Sequence, residues 1–375
     1  MHIDIAESQV SRVVDETRQL VALSTPSGEQ AQTEAAMALC AGFLPGGASV
    51  QRVASATDGC VADLIAKMAG HGRARLLLLG HLDTVFSHAE HRPPHVDGQR
   101  LYGSGVIDMK GGVAFALALA RLLDPVGYAE MSLLLVTDEE WRTAPFAHSD
   151  RFGGYDACLC FEAGEADAHG INGVVVQRKG AGTLRVLASG RAAHSGVAPE
   201  SGRNALLALA DVAIRGAALS EPNGDDLLTV VPTVLNAGGA SNVVPAGGEL
   251  VFDIRAAHTE AFARVRDSVP QELDGVRLQA VLDRVWPAMN SRHAAEPVLA
   301  RAAAQLGRPV VGRSRGGASD ASHFAGQIPI TIDGLGPRGA GAHTPEEHLD
   351  LGSLQDRLAV ALAVAEAVIL GVDHG

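Results

Sequence analysis

His81-Leu82-Asp83 puts an imidazole and a carboxylate two residues apart, directly after an apolar run from Arg75 to Leu79. At a strand end, side chains two apart share a face. Such a pair can offer one ring nitrogen to a metal while the carboxylate holds the other and fixes the tautomer. Strand-end capping is the plainer use of the same tripeptide. Glu139-Glu140 follow a second apolar run, Met131 to Val136. Adjacent carboxylates leave a strand end in different directions, so one can bind metal while its neighbour moves a proton; a solvated acidic loop has the same composition. Glu162 closes a third run that begins at Ala157, and His343 stands in the glycine-rich stretch 334–345. Glycines let a backbone come close to a ligand, although with fifteen histidines a surface role is ordinary for any one of them. Asp108 lies in Gly103-Ser104-Gly105-Val106-Ile107-Asp108-Met109-Lys110-Gly111-Gly112. That stretch has neither the Walker spacing nor the dinucleotide fingerprint. An aspartate capping the following helix fits it equally, and a cap residue can still face a crevice.

The order of elements is what must bring these residues together. Helices Ser8–Leu23 and Ala31–Phe43 flank the turn Ser24-Thr25-Pro26-Ser27-Gly28-Glu29. Strand Leu76–Leu79, helix Gly111–Leu123 and strands Met131–Val136 and Ala157–Phe161 follow. This alternation predicts a doubly wound α/β domain. In such a sheet, ligands collect beyond the carboxyl ends of the strands, where the residues above fall. From Lys179 the texture changes. Strand Thr183–Ala188, helix Arg203–Leu219, strands Thr229–Asn236 and Glu249–Ile254, helix Thr259–Leu273 and strand Val276–Val285 read β-α-β-β-α-β. The expectation is an inserted ferredoxin-like α+β domain over 179–287, within a catalytic domain made of 1–178 and 288–375. After Pro287 the α/β pattern resumes with helix Glu296–Leu306, strand Ile328–Ile332 and helix Leu354–Leu370.

Hydrophobic residues make up 47% of the chain and aromatics only 4%, so the cores must be packed from Ala, Val and Leu. A net charge of -13 opposes nucleic acid or an anionic membrane surface as partner. Neither a signal-type start nor an apolar run of spanning length is present, and a cytoplasmic location is expected. Cys40, Cys60, Cys158 and Cys160 are too few for a disulfide framework and read as free thiols.

Taken in order, the segments resemble the M20 metallopeptidase family, which is similar to glutamate carboxypeptidases and acyl-amino-acid deacylases. The matching pieces begin with Thr25-Pro26-Ser27-Gly28-Glu29, His81-Leu82-Asp83-Thr84-Val85 and the 105–112 stretch. They continue with Asp138-Glu139-Glu140, Phe161-Glu162, Ala193-His194-Ser195-Gly196, Ser241-Asn242-Val243-Val244-Pro245 and Asp253-Ile254-Arg255. Gly316-Gly317-Ala318-Ser319-Asp320-Ala321 and Gly341-Ala342-His343-Thr344 complete the series. The resemblance implies two zinc ions per chain, with Co2+ or Mn2+ able to substitute. His81 and Glu162 would hold one ion and Glu140 and His343 the other, with Asp108 shared and followed by a cis peptide bond. Asp83 would orient His81. Glu139 would be the general base, taking a proton from the nucleophilic water and passing it to the leaving amine. In the inserted unit, the family's lid and dimerisation domain, His194 would stabilise the oxyanion, often across a homodimer. Asn242 and Arg255 would contact the substrate carboxylate.

Two departures bear on substrate. Where the family often has small residues after Glu140, this chain has Trp141-Arg142-Thr143-Ala144-Pro145-Phe146, bulk that would narrow the pocket. The arginine that glutamate carboxypeptidases place just before Gly-Gly has no aligned counterpart, since Arg313 and Arg315 both need a shift. The expected activity is cleavage of an amide next to a free carboxylate in a small peptide, releasing a C-terminal residue such as glutamate. The alternative is an N-acyl-amino-acid deacylase of the acetylornithine or succinyl-diaminopimelate type, with an N-acyl amino acid as substrate. A non-catalytic dimeric scaffold would have lost Glu139 or a ligand, and all are present.

Overall fold

The computed structural model describes residues 3–142, 144–166 and 169–373. It divides into two units, Met1–Gln177 with Met289–Ser314 and Ser319–Gly375, and Arg178–Ala288 with Arg315–Ala318. The first is built on a six-stranded sheet in the order Ser49–Val53, Asp63–Ala69, Tyr128–Val136, Ala74–His81, Ala157–Cys160, Ile330–Ile332. The last four run parallel. The first two are antiparallel additions at one edge, because the short connection from Val53 to Asp63 suits a hairpin and not a crossover.

The four parallel strands are largely buried on both faces, so they read as nearly continuous apolar runs. Leu76, Leu78, Leu133, Leu135 and Leu159 share a core with Leu20, Phe115, Leu119, Leu358 and Val364 from the helices Glu7–Val21, Gly111–Leu122 and Leu354–Asp373. Leu77, Leu79, Leu134, Val136, Cys158 and Cys160 pack instead with Phe152, Tyr155, Ala321, Phe324 and Ile328. That second face is covered by the single turns Ser149–Phe152 and Asp320–His323 and their flanks. The expectation of a doubly wound domain is corrected here: the long helices supply one face only. Pro145, Gly153-Gly154 and Gly316-Gly317 break the two covering segments before a long helix can form.

The second unit has a five-stranded antiparallel sheet in the order Thr229–Ala237, Gly247–Ala256, Gly180–Ser189, Val276–Trp286, Glu272–Leu273. Its core joins Leu184, Phe252 and Ile254 to Leu209 and Phe262 of the helices Ala205–Ala217 and Glu260–Asp267. The helix expected to reach Leu273 stops at Asp267. Pro270 has no N–H to give and drives Val269 out of the helical region. Asp274 and Gly275, both at positive φ, then turn a hairpin that pairs Glu272 with Arg277. The helix expected from Arg203 begins at Ala205, where the Asn204 side chain accepts from the N–H groups of Leu206 and Leu207. Further on, the helix expected from Glu296 begins at Arg292, and Pro329 delays the last sheet strand to Ile330. Cys40, Cys158 and Cys160 are buried, the first two as free thiols. Among the described residues, no helix is long and apolar enough to cross a membrane.

One contact fixes where the site residues can stand. A Cβ at Gly112 would lie 1.9 Å from the Phe161 carbonyl oxygen, so the helix after Asp108 presses its first turn on the residue before Glu162. Alanine is intrinsically the better helix former by about 1 kcal/mol, but overpacking against backbone outweighs that gain. We expect Gly112→Ala to cost about 3 kcal/mol, measured as a lowered urea midpoint. A midpoint equal to or above the parent's would contradict the tight contact.

Candidate metal centre

His81 is the last residue of its strand; Glu139-Glu140 stand just past Val136, and Glu162 just past Cys160. Parallel pairing sets His81 beside Val136, so these side chains emerge from one sheet edge. Asp108 sits in the wide turn Val106–Lys110 ahead of the helix Gly111–Leu122, and its peptide to Met109 is cis. It does not cap that helix, whose N-cap is Lys110; its carboxylate is left for other partners. His343, at φ 63°, projects from the glycine-rich loop.

The side chains converge. His81 Nε2 lies 3.1 Å from Asp108 Oδ1 and 3.8 Å from Glu162 Oε1. Asp108 Oδ2 is 3.1 Å from His343 Nε2, which is 3.0 Å from Glu140 Oε1. Donor atoms of His81, Asp108 and Glu140 fall within 4.8 Å of one another. Asp108 therefore turns one oxygen to each imidazole. Two imidazoles with three carboxylates make a donor set that suits zinc, and a carboxylate shared between two imidazoles fits a bridged pair of ions. The electrostatics agree. Asp108 and Glu140 push His343 up to about 10. Burial alone would lower His81, yet its bonds to Asp108 and Asp83 raise it well above the usual imidazole range. Burial drives Glu139 well above the carboxylate range, with Asp320, Glu140 and Glu162 adding to it against the pull of His81. Negative charge is crowded here beyond what two imidazoles relieve.

Asp83 organises the back of the centre. Its carboxylate accepts from Ser27 Oγ at 2.6 Å, from the N–H of Glu139 at 3.1 Å and from the N–H of Glu140 at 3.0 Å. His81 Nδ1 lies 3.0 Å from the Asp83 carbonyl oxygen and 3.4 Å from its carboxylate. With Nδ1 so occupied, Nε2 is the free face of the ring. Beneath, Arg142 is buried between Asp138 and Asp320 and donates to both. The bulk expected to crowd the pocket after Glu140 thus does not include Arg142, which two carboxylates draw inward. Trp141 remains 55% exposed, its ring over Gly28, and Pro145 is exposed as well; Thr143 lies outside the described residues. Ser27 and the Arg142–Asp320 pair were not singled out from sequence as functional, because partners 56 and 178 positions apart leave no local pattern.

In the second unit, His194 and Asn242 adjoin: His194 bridges to Val243, and the Ser195 N–H donates to the Asn242 carbonyl at 3.0 Å. His194 Nδ1 accepts from the Gly196 N–H at 3.2 Å, which leaves Nε2 as the donor. Arg255 is apart. It lies at the opposite end of the strand Gly247–Ala256, about 25 Å away at ordinary strand rise, with its guanidinium on Asp253. Within one chain, Asn242 and Arg255 do not share a ligand carboxylate. Arg313 packs its side chain against Gly173 in the first unit, and the Arg315 carbonyl accepts from the Lys179 N–H in the second.

Comparison with known proteins completes the picture. The model of the peptidase family M20/M25/M40 matches residues 77–367. Carboxypeptidase G2 of Pseudomonas sp. (strain RS-16) is 29% identical over 80% of this chain and 75% of its own. Succinyl-diaminopimelate desuccinylase of Delftia acidovorans is 28% identical over 92% of this chain and 95% of its own. Among solved structures, a dinuclear metal-binding peptidase of the M20 family from Bacillus subtilis superposes with a TM-score of 0.70 at 16% identity, covering 98% of this chain and 99% of that one. With three-quarters of its length matched, the chain belongs to peptidase family M20/M25/M40 and is a metal-dependent hydrolase.

Proposed function

We propose that the protein is a two-zinc hydrolase cutting an amide bond next to a free carboxylate, as a carboxypeptidase releasing a C-terminal residue such as glutamate. The observation that carries this reading is the split orientation of Asp108, one oxygen toward His81 and the other toward His343, with Glu162 and Glu140 alongside. In this reading His81 and Glu162 hold one ion, Glu140 and His343 the other, and Asp108 both; Co2+ or Mn2+ would substitute. Bound there, the cations would polarise the scissile carbonyl and lower the pKa of the attacking water. Glu139 takes the water's proton on its carboxylate and returns it to the leaving amine. The Asp83 carboxylate aims it, by pinning the main chain at Glu139. Asp83 also keeps the Nε2 lone pair of His81 pointed at the centre. His194 would give its Nε2–H to the oxyanion, and Asn242 and Arg255 would meet the substrate as separate contacts. A homodimer through the second unit is part of the proposal. It is supported by exposed Val231, Val234 and Leu235 on the edge strand and by exposed Leu207 and Ile214 on the neighbouring helix. A cytoplasmic setting accords with the free thiols of Cys40, Cys60 and Cys158.

The N-acyl-amino-acid deacylase reading has its own support, since the desuccinylase relative matches over a greater length than the carboxypeptidase does. The two differ in which side of the amide is recognised. Product analysis on a peptide ending in glutamate and on N-acetyl and N-succinyl amino acids separates them: release from the peptide alone selects the carboxypeptidase, and deacylation alone selects the alternative.

The purified protein should carry about two zinc ions per chain by elemental analysis. Chelation should abolish hydrolysis, and Zn2+, Co2+ or Mn2+ should restore it; full activity without metal would end the proposal. Glu139→Gln should keep its metal and lose about 1000-fold in kcat, and near-normal turnover would remove the general-base role. His194→Ala should lower kcat about 100-fold with the oligomeric state unchanged, the cost of one oxyanion donor. An unchanged kcat would exclude His194 from that step.

A further inference from the structure

Four residues after His343, Glu347 is 2% exposed. Its carboxylate faces main chain. Oε2 accepts from the Gly105 N–H at 2.8 Å, and Oε1 accepts from the N–H groups of Ile107 at 2.9 Å and Asp108 at 3.1 Å. These amides belong to the turn that carries Asp108, some 240 residues away in sequence. The segment that carries Glu347 is itself tightly closed. The Thr344 N–H donates to the Gly341 carbonyl at 2.9 Å, and the Glu347 N–H donates to the Thr344 carbonyl at 3.2 Å. A Cβ on Gly341, at φ 78°, would meet the Glu346 carbonyl at 2.9 Å. His343 and Glu347 therefore belong to one tightly turned segment. That segment grips Asp108 twice, by the His343 imidazole on its side chain and by the Glu347 carboxylate on its backbone.

We infer that Glu347 is a positioning residue: its carboxylate sets the distance between Asp108 and His343, and so the spacing of the two metal positions. The inference rests on the metal-centre reading proposed above. Three convergent N–H donors need an anion with two oxygens, one for Gly105 and one for Ile107 and Asp108 together. An amide in its place turns an NH2 group on at least one of them, donor against donor.

The test compares Glu347→Gln and Glu347→Asp with Glu346→Gln, an exposed neighbour, in the full chain stripped of metal and titrated with Zn2+ and Co2+. Both Glu347 variants should bind the ions 10- to 100-fold more weakly, the usual loss when a group orienting a ligand is removed. Their Co2+ spectra should be altered, while Glu346→Gln matches the parent. Parental affinity and spectrum in Glu347→Gln would overturn the inference, and so would a lower unfolding temperature of the metal-free protein with affinity and spectrum unchanged. If the Glu347 variants fail to fold, amide exchange in the metal-free parent decides. Slow exchange at Gly105, Ile107 and Asp108 is expected, and free exchange at all three would refute the cradle. A parent that takes up neither ion would overturn the metal-centre reading itself, a result distinct from a parent that binds both and a Glu347→Gln that binds them equally well.

Discussion

A buried carboxylate is tolerated only if its lone pairs are filled, and in this protein that requirement gathers the catalytic surface around Asp83. Its two oxygens take a hydroxyl from the turn at Ser27, two amides from the acidic pair, and the flank of His81. Three segments that the sequence keeps far apart are tied to one group of atoms. The direction of Glu139, the tautomer of His81 and the seat of the first turn all follow from satisfying it. Were the carboxylate apolar, two amides and a hydroxyl would be left buried without acceptors, each at a cost of about 1–3 kcal/mol.

Charge is sorted by depth. Asp138 and Asp320 share Arg142, a fully enclosed triad in which removing either sign would strand the other. One layer further out, the ion-pair partners of Asp108 and Glu140 among the described residues are imidazoles alone. Strong, permanently charged guanidinium is spent on the framework. The carboxylates facing the centre keep neighbours that can give up a proton and act as neutral ligands.

Much of this was legible in the sequence. The central strands announce themselves because burial on both faces leaves few polar positions, Ser132 among them, and the runs stop just before His81, Glu139 and Glu162. The two antiparallel strands Ser49–Val53 and Asp63–Ala69 did not, because exposed residues interrupt their apolar pattern. Asp274-Gly275 carried a hairpin signal that the helical periodicity before it overrode. The covering of the sheet's second face by single turns has no signature beyond glycine and proline. Side chains of metal-ligating type were readable as such, whereas Glu347 and Ser27 were not: what they hold is main chain or a distant carboxylate, and a backbone amide has no letter of its own.

The second unit interrupts the sheet between Ala157–Cys160 and its parallel neighbour Ile330–Ile332. Yet its first and last long strands are hydrogen-bonded partners, Ala181 opposite Trp286, so the chain leaves that unit where it entered. This has a kinetic consequence. If the unit folds early, the loop between Cys160 and Ile330 shrinks from roughly 170 residues to about 60 before the last sheet strand must find its place, sparing about 1 kcal/mol of closure entropy. The insertion then acts as a clasp that shortens the search for the strand leading to His343, and assembly of the centre becomes ordered in time by a unit that supplies none of its crowded carboxylates.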